Sequence, residues 1–186
     1  MEPEAFTLVY EAGARNKIMR MENKYRKGDG GFSLIELMIV IAIIGILVGV
    51  GVPAWKNATI AGNETAAIQT LKTIQTEQRA YFNTRGRTTF GTFDQIIESG
   101  SLDKRFAGDE PVVDGYKYTM KVIPKSSGQP PSFSINADPQ AKDGISATGR
   151  RHFYIDSNVN TIRVNSGGPA SADDSPEGEE AEGEAK

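Results

Sequence analysis

The longest apolar stretch of the sequence runs over residues 32–52, where Ser33 and Glu36 are the only polar side chains. An α-helix rises about 1.5 Å per residue, so roughly 20 residues cross the roughly 30 Å hydrocarbon core of a bilayer. The pattern therefore predicts a membrane-spanning helix. Three cations stand shortly before it: Lys24, Arg26 and Lys27. By the positive-inside rule they predict a cytoplasmic N-terminus, with the C-terminal part on the other side of the membrane.

The helical pattern continues beyond the apolar stretch and predicts one helix of about 50 residues, roughly 75 Å long. Proline removes one backbone hydrogen bond, so Pro53 should kink this helix, and Gly45 and Gly49 weaken the turns before it. Apolar residues then recur at helical spacing, at Ile60, Ala67, Ile68, Leu71, Ile74 and Tyr81. The polar residues between them, such as Glu64 and Gln75, are assigned to other faces. An apolar first half and an amphipathic second half predict a stalk followed by a platform for a globular head.

Four segments farther along alternate apolar and polar residues, as half-buried β-strands do. They follow a connecting loop that contains one short helix at 93–99, closed by Gly100. The strand candidates are residues 116–123, 132–137, 151–156 and 161–164, the last two joined by a hairpin turn at 157–160. Antiparallel strands can bury one face and leave the other in water. The sequence therefore predicts an α+β fold in which one long N-terminal helix packs on an antiparallel sheet of about four strands.

The end of the chain differs in composition from the rest. Residues 166–186 begin with Ser-Gly-Gly-Pro, become acidic and show no apolar periodicity. The chain carries a formal net charge of -3, and this acidic end outweighs a slightly basic remainder. A segment that buries little apolar surface cannot offset its chain entropy, so the composition predicts a disordered acidic tail.

Two glycines, Gly30 and Gly31, lie directly before the apolar stretch and indicate a different kind of processing from secretion. A secretory signal peptide is cut after its apolar region, whereas here the helical pattern continues beyond that region. A cut after Gly31 would keep the apolar helix and make Phe32 the new N-terminus. Its α-amine would titrate near 8 and be mostly cationic at neutral pH.

Glu36 places a carboxylate inside the predicted span, which costs a few kcal/mol on insertion scales. Its own helix offers no Lys or Arg within a turn, so the amine of Phe32 is the expected partner, from the same chain or from a neighbouring one. Pairing between chains would fix the axial register of packed helices. The alternative is a glutamate that snorkels to the interface from the end of an ordinary anchor.

The stretch GFSLIELMIVIAIIGIL at 31–47 resembles the N-terminal signature of type IV pilins and the related pseudopilins. The resemblance covers roughly residues 31–55, and Pro53 stands where that family has its helix-kinking proline. It implies that a prepilin peptidase cuts after Gly31 and methylates the amine of Phe32. It also implies that Glu36 neutralises the N-terminal amine of an adjacent subunit during assembly. The predicted helix-on-sheet arrangement agrees with the pilin fold.

The resemblance and the patterns together divide the chain into five parts. They are a leader (1–31), a transmembrane and assembly helix (32–53), the amphipathic half of that helix (54–86), a head of loop and sheet (87–165), and the acidic tail (166–186). The leader is long for this family. A start at Met21 would give it a more usual length, so residues 1–18 are interpreted as a start-site artefact or a disordered extension.

Three functions follow from the resemblance. The first is a structural subunit of a type IV pilus-like extracellular filament, serving adhesion, motility or DNA uptake. The second is a pseudopilin of a type II secretion system, which is disfavoured because the head lacks the Asp-Pro-Trp-Gly stretch of major secretion pseudopilins. The third is a filament-tip adhesin or DNA-binding minor pilin, which needs a binding surface that the sequence does not reveal.

The first function implies particular partners and locations. The precursor is expected as a single-pass protein of the inner membrane with its N-terminus in the cytoplasm, and the mature subunit in the extracellular filament. The expected partners are copies of itself and other pilins, the prepilin peptidase/methyltransferase, the inner-membrane assembly platform, and the lipid bilayer before assembly.

The sequence offers little for catalysis. It has no Cys and one His, so no disulfide can form and a transition-metal or Cys/His catalytic site is not expected. No nucleophile–base pairing, P-loop or dinucleotide-binding glycine motif occurs. We therefore expect no enzyme activity, no cofactor and no metal.

Three weaker constellations each have a second interpretation. The residues His152, Arg150 and Arg151 form a basic patch for an anionic polymer or a charged edge strand, and the edge strand is favoured. A cluster of oxygen side chains, Asp138, Asp143, Asp156 and Asn158, offers calcium ligands or turn capping, and turn capping is favoured. Aromatic residues at the end of the long helix, Tyr81, Phe82, Phe90 and Phe93, form core packing by default or else a ligand groove.

Overall fold

The structure of the protein, a computed structural model, describes residues 31–86 and 88–179. The predicted leader therefore lies outside the described residues, apart from Gly31. The helices are α1 (Leu34–Thr84) and α2 (Phe93–Glu98), followed by a 3₁₀ turn at Lys104–Phe106. The strands are β1 (Val112–Val113), β2 (Tyr116–Ile123), β3 (Ser132–Pro139), β4 (His152–Asp156), β5 (Arg163–Asn165) and β6 (Ser175–Pro176). The predicted α+β arrangement of one long helix and an antiparallel sheet is confirmed.

The chain divides into two compact units, one ending at Val48 and the other beginning at Gly49. In the first unit, the described residues form the start of α1, and all of them are exposed. In the second unit, the rest of α1 carries the globular head. Pro53 lies inside α1, so the helical assignment continues through it.

The core of the second unit lies between one face of α1 and one face of the sheet. The helix contributes Ala67, Leu71 and Ile74, each fully buried. The sheet contributes alternate residues, as the period of two predicts: Tyr116, Tyr118, Phe133, Ile135, Ala137, Phe153 and Ile155. α2 adds Phe93 and Ile96, held in place by a capping box in which Thr92 and Gln95 each accept the other's backbone N–H.

The six strands are antiparallel and lie in chain order, from β1 at one edge to β6 at the other. The prediction of about four strands was therefore two short. Each of the extra strands, β1 and β6, has two residues, which is too short to show the alternation on which strand prediction depends. The four predicted strands correspond to β2–β5, and β4 and β5 form the predicted hairpin.

The prediction that the chain is disordered from residue 166 is wrong for residues 166–179. Ala170 is 4% exposed, and its carbonyl accepts a hydrogen bond from the Asn136 side chain at 2.6 Å. β6 pairs with β5, and the side chain of Asp174 caps the turn that precedes it. Local hydrogen bonds and one buried alanine therefore order a segment that its composition predicted to be a disordered tail. Residues 180–186 lie outside the described residues.

The aromatic residues at the end of α1 pack as predicted by the core interpretation. The Phe90 ring lies 4.8 Å from the ring of Phe82 and 4.8 Å from that of Phe133, centroid to centroid. Phe93 is buried, and Tyr81 packs on the core from its edge. These rings close the far end of the helix–sheet core.

Candidate assembly site at the start of the long helix

Glu36 has a local role in the single chain. The backbone N–H of Ser33 donates to its carboxylate at 3.1 Å, and the carbonyl of Ser33 accepts from the N–H of Leu37. Ser33 is thus the N-cap of α1, and Glu36 is the third helical residue, which reaches back in half of a capping box. The sequence contains the motif of this cap, Ser-x-x-Glu before an apolar run, but the cap was not predicted.

This geometry leaves Glu36 able to receive a cation. The carboxylate lies in the first turn of α1, where the helix dipole favours a negative charge. Phe32 is 92% exposed and precedes the N-cap by one residue. The described residues place no Lys or Arg within salt-bridge distance of Glu36. An amine at Phe32 of the same or another chain therefore has an anionic group near it to pair with.

The first part of α1 exposes apolar side chains on every face. All residues from 31 to 55 are exposed, and α1 is the one described helix that is long and apolar enough to cross a bilayer. Monomeric soluble proteins rarely expose contiguous apolar surface of this extent, so the segment needs a membrane or other subunits to cover it.

The single chain has room for a larger side chain at the glycines noted in the sequence. A Cβ atom built at Gly31, Gly45 or Gly49 would meet no other atom within 4 Å. The fold of one subunit therefore gives no reason for glycine at these positions. If glycine is required, the requirement must come from a partner, either an enzyme that reads Gly31 or a helix that approaches Gly45 and Gly49 closely.

Glu64 joins the helix to the head, although the sequence analysis assigned it to another face. Its carboxylate accepts from the backbone N–H of Arg150 at 2.9 Å and from the guanidinium of Arg151 at 2.8 Å. Arg150 in turn donates to the side chain of Asn57 at 3.0 Å. These contacts show that Arg150 and Arg151 face the helix, so the basic-patch interpretation is not supported.

Two buried glutamines of α1 also join the helix to the head by hydrogen bonds. Gln75 donates to the carbonyls of Asp156 and Val159, and Gln78 exchanges two hydrogen bonds with the backbone of Gly91. Gln75 was predicted to lie on another face, and no role was predicted for Gln78. No signal in the sequence separates these residues from solvated glutamines, because their partners are far away or in loops.

The edge-strand interpretation of His152 is wrong. β4 lies between β3 and β5, and the buried His152 ring contacts Asp138 at 2.6 Å between Nδ1 and Oδ1. Turn capping by Asp156 is confirmed, since one carboxylate oxygen accepts from the backbone N–H groups of Asn158 and Val159. Within the ranges described, no cluster of three or more His, Asp or Glu side chains could hold a metal ion.

Burial and hydrogen bonding shift the pKa values of Tyr116, Tyr118 and Asp174 in the head. Burial raises the pKa of Tyr118 to about 12, and burial followed by the nearby Glu64 carboxylate raises the pKa of Tyr116 well above its usual range. The Tyr116 hydroxyl donates to the carbonyl of Arg151 at 2.9 Å. The backbone N–H and hydroxyl of Ser171 lower the pKa of Asp174.

The fold and the site thus define a small α+β head on a helix whose start is apolar and capped by a carboxylate. The family profile described as the prokaryotic N-terminal methylation motif matches residues 26–52. The type IV major pilin protein PilE of Neisseria gonorrhoeae is 41% identical over 90 residues, 46% of this chain and 52% of that protein. The type IV major pilin protein PilA of Myxococcus xanthus (strain DK1622) is 35% identical over 65 residues, 35% of this chain and 30% of that protein.

A fimbrial protein of Pseudomonas aeruginosa is 42% identical over 50 residues, 27% of this chain and 32% of that protein. The chain thus spans about a third to a half of the length of these relatives. No solved structure gives a significant match. The chain thus matches a prokaryotic N-terminal methylation motif and is similar to type IV pilins over part of its length.

Proposed function

We propose that the protein is a structural subunit of a type IV pilus-like filament that polymerises through the first part of α1. The observation that carries the proposal is the exposed apolar start of the helix, which contains one carboxylate, Glu36, in the first helical turn after Phe32. The relatives named above are pilins and fimbrial proteins, and a filament of packed helices would cover the apolar surface. A structural subunit of this kind needs no enzyme activity.

The same proposal assigns roles to the residues before and within the helix. A prepilin peptidase cuts between Gly31 and Phe32 and methylates the new amine, in keeping with the matched methylation motif. Glu36 then pairs with the Phe32 amine of a neighbouring subunit. Gly45 and Gly49 allow close helix approach, and Pro53 gives the helix a point of flexibility.

The proposed life of the subunit has two locations. Before assembly, α1 crosses the inner membrane once, with the N-terminus in the cytoplasm, and an inner-membrane assembly platform collects the subunits. After assembly, the subunit lies in an extracellular filament with copies of itself and other pilins. The pilin and fimbrial names of the relatives favour a pilus over a secretion pseudopilus.

Substitution of Glu36 tests the proposal because two variants separate its two roles. Gln can serve as the third residue of a capping box, so Glu36→Gln keeps the helix cap and removes only the charge. Glu36→Ala removes both. Either variant leaves a buried amine unpaired in every subunit contact, and breaking a buried pair costs about 3–5 kcal/mol. We expect filament yield to fall at least about tenfold in both variants while the membrane pool of subunit is unchanged.

The measurement is the yield of sheared filaments beside total membrane-bound subunit in the producing organism. Wild-type filament yield from Glu36→Gln would show that Glu36 serves only as a helix cap, and the assembly role would be withdrawn. Loss of the subunit itself from the membrane would mean that Glu36 supports folding or insertion instead.

A further inference from the structure

Residues 141–149, in the loop between β3 and β4, accept hydrogen bonds from the part of α1 that follows the apolar stretch. The Lys56 ammonium donates to the carbonyl of Gly144, and the Asn63 side chain donates to the carbonyl of Thr148 at 2.8 Å. The loop also closes on itself, since the N–H of Thr148 donates to the carbonyl of Ala141 at 2.7 Å. These contacts lie within one compact unit, so they place the loop beside the helix turn that contains Lys56.

Two large apolar side chains are exposed at this end of the head. Trp55 precedes Lys56 and is 72% exposed, and Ile145 follows Gly144 and is 95% exposed. The same unit includes Val50 and Val52, the last residues of the apolar stretch 32–52. Trp55 follows that stretch closely, and Ile145 lies on the loop that contacts the next residue, Lys56, through the Gly144 carbonyl.

Two lysines lie at this end of the head. Lys56 donates to the Gly144 carbonyl, and Lys142 donates to the Gly167 carbonyl at 3.0 Å, so each contacts a neutral partner. Lys142 also lines a cleft of about 590 Å³, together with the carboxylate residues Glu64 and Asp143. Arg150 lines the same cleft, but its guanidinium donates to the Asn57 side chain of the helix at 3.0 Å.

We propose that Trp55, Ile145, Lys56 and Lys142 form a membrane-docking surface that rests on the bilayer holding the subunit before assembly. Trp55 and Ile145 enter the headgroup–acyl boundary. The two lysines bind the phosphates of anionic lipids. The loop thereby holds the head against the membrane. This inference rests on the proposed function, since it needs α1 to be inserted.

The observations favour lipid over a second copy of the chain as the occupant. Tryptophan is enriched at the membrane–water interface, and exposed apolar side chains close to lysines are typical of interfacial binding. Anionic lipid surfaces attract Lys and Arg close to them. Val50 and Val52, at the end of the apolar stretch, belong to the same unit as this surface, so no separate recruitment step is needed.

The composition of the chain makes the surface easy to label. The sequence has no Cys and one Trp, so Ile145→Cys carries a single fluorophore and Trp55 is a separate internal probe. Ile123→Cys is the matched control, an exposed isoleucine at the far end of β2. Gln78 contacts Met120 of that strand at 3.0 Å, and Gln78 lies roughly 33 Å along α1 from Lys56.

The full chain is reconstituted into vesicles of phosphatidylcholine with or without phosphatidylglycerol, each containing brominated lipid as a quencher. With phosphatidylglycerol, we expect the label at residue 145 to be quenched at least about threefold more than the label at residue 123. The Lys142→Gln variant should lower this quenching toward the value in phosphatidylcholine alone.

The outcomes separate the inference from the proposed function. Quenching of Trp55 together with equal quenching of the two labels would overturn the docking surface and leave membrane insertion standing. Failure of brominated lipid to quench Trp55 would overturn both. Shielding of the residue 145 label that lipid does not quench, and that disappears when more lipid dilutes the protein, would assign the surface to a second copy of the chain.

Discussion

At the scale of single residues, Glu64 fixes where the helix meets the start of β4. Its two oxygens accept from two successive residues, the backbone of Arg150 and the side chain of Arg151. The carboxylate is nearly buried, while Arg151 is about a third exposed. Because the carboxylate satisfies a backbone N–H that has left water, its removal should matter more than the loss of a surface ion pair.

Glu64→Ala should therefore lower the free energy of unfolding by about 2–3 kcal/mol, since it leaves the Arg150 N–H without its acceptor and removes the carboxylate that the Arg151 guanidinium contacts. Chemical denaturation of the full chain in detergent measures the change. The matched control is Glu77→Ala on the same helix, for which we expect a change within about 0.5 kcal/mol. Equal effects of the two substitutions would show that Glu64 does not join helix and head.

Tyr118 gives the head a predictable response to alkaline pH. Burial raises the pKa of Tyr118 to about 12, above its usual value near 10. The unfolded chain therefore loses this proton first, and stability falls as the pH rises from about 10 to about 12. Stability below pH 10 is unaffected by this group.

The variant Tyr118→Phe cannot ionise, so the loss of stability between pH 10 and pH 12 should be smaller by about 2 kcal/mol than in the unmodified chain. Denaturation curves across that range test this expectation. Tyr116 still titrates in the variant, so part of the alkaline loss should remain. An identical pH dependence in both proteins would contradict the assignment to Tyr118.

At the scale of elements, the segment from 166 to 179 is part of the head. It adds β6 to the sheet edge and buries Ala170 over the outer face of β3, where Asn136 holds its carbonyl. Asp174 accepts from the backbone and the hydroxyl of Ser171 and from the side chain of Asn165. A short edge strand that contains Pro176 also limits pairing with other chains.

A chain that ends at residue 165 should be less stable than one that ends at residue 179. It loses the β5–β6 pairing and exposes the outer face of β3, so we expect a melting temperature lower by more than about 5 °C. Thermal unfolding of the two chains, followed by circular dichroism in the same detergent, makes the comparison. Equal melting temperatures would restore the disordered-tail interpretation for the whole segment.

The elements that were predicted and those that were missed differ in length and in the range of their contacts. β2 has the predicted bounds because its eight residues are long enough to show the alternation of a half-buried strand. β6 has two residues, which are too few to show this alternation. Glu64 was misassigned because its partners lie 86 and 87 positions away, and a local pattern counts a polar side chain as solvated. The cap of Ser33 by Glu36 could have been predicted, since both residues belong to one local motif.

At the scale of the whole molecule, the two compact units differ in how much apolar surface they expose to solvent. The described part of the first unit presents apolar surface all round, whereas the second encloses its own core. The first unit therefore depends on lipid or neighbouring subunits, and the second is complete within one chain. The peptide bond between Gly31 and Phe32 lies just before the helix, so proteolysis there would leave α1 and the head intact.

The last prediction concerns that bond. Gly31→Val should leave the precursor uncut in the membrane, because a branched side chain should not fit the peptidase site. The unmodified protein should begin at an N-methylated Phe32. A Cβ at residue 31 meets nothing within 4 Å, so the substitution should not disturb the subunit itself.

Gly62→Ala is the control, since Gly62 is also free of neighbours and alanine favours a helix. Mass spectrometry of the membrane and filament fractions should find the control processed and the Gly31→Val chain intact. A processed N-terminus at Phe32 in Gly31→Val would show that Gly31 is not the residue the peptidase reads.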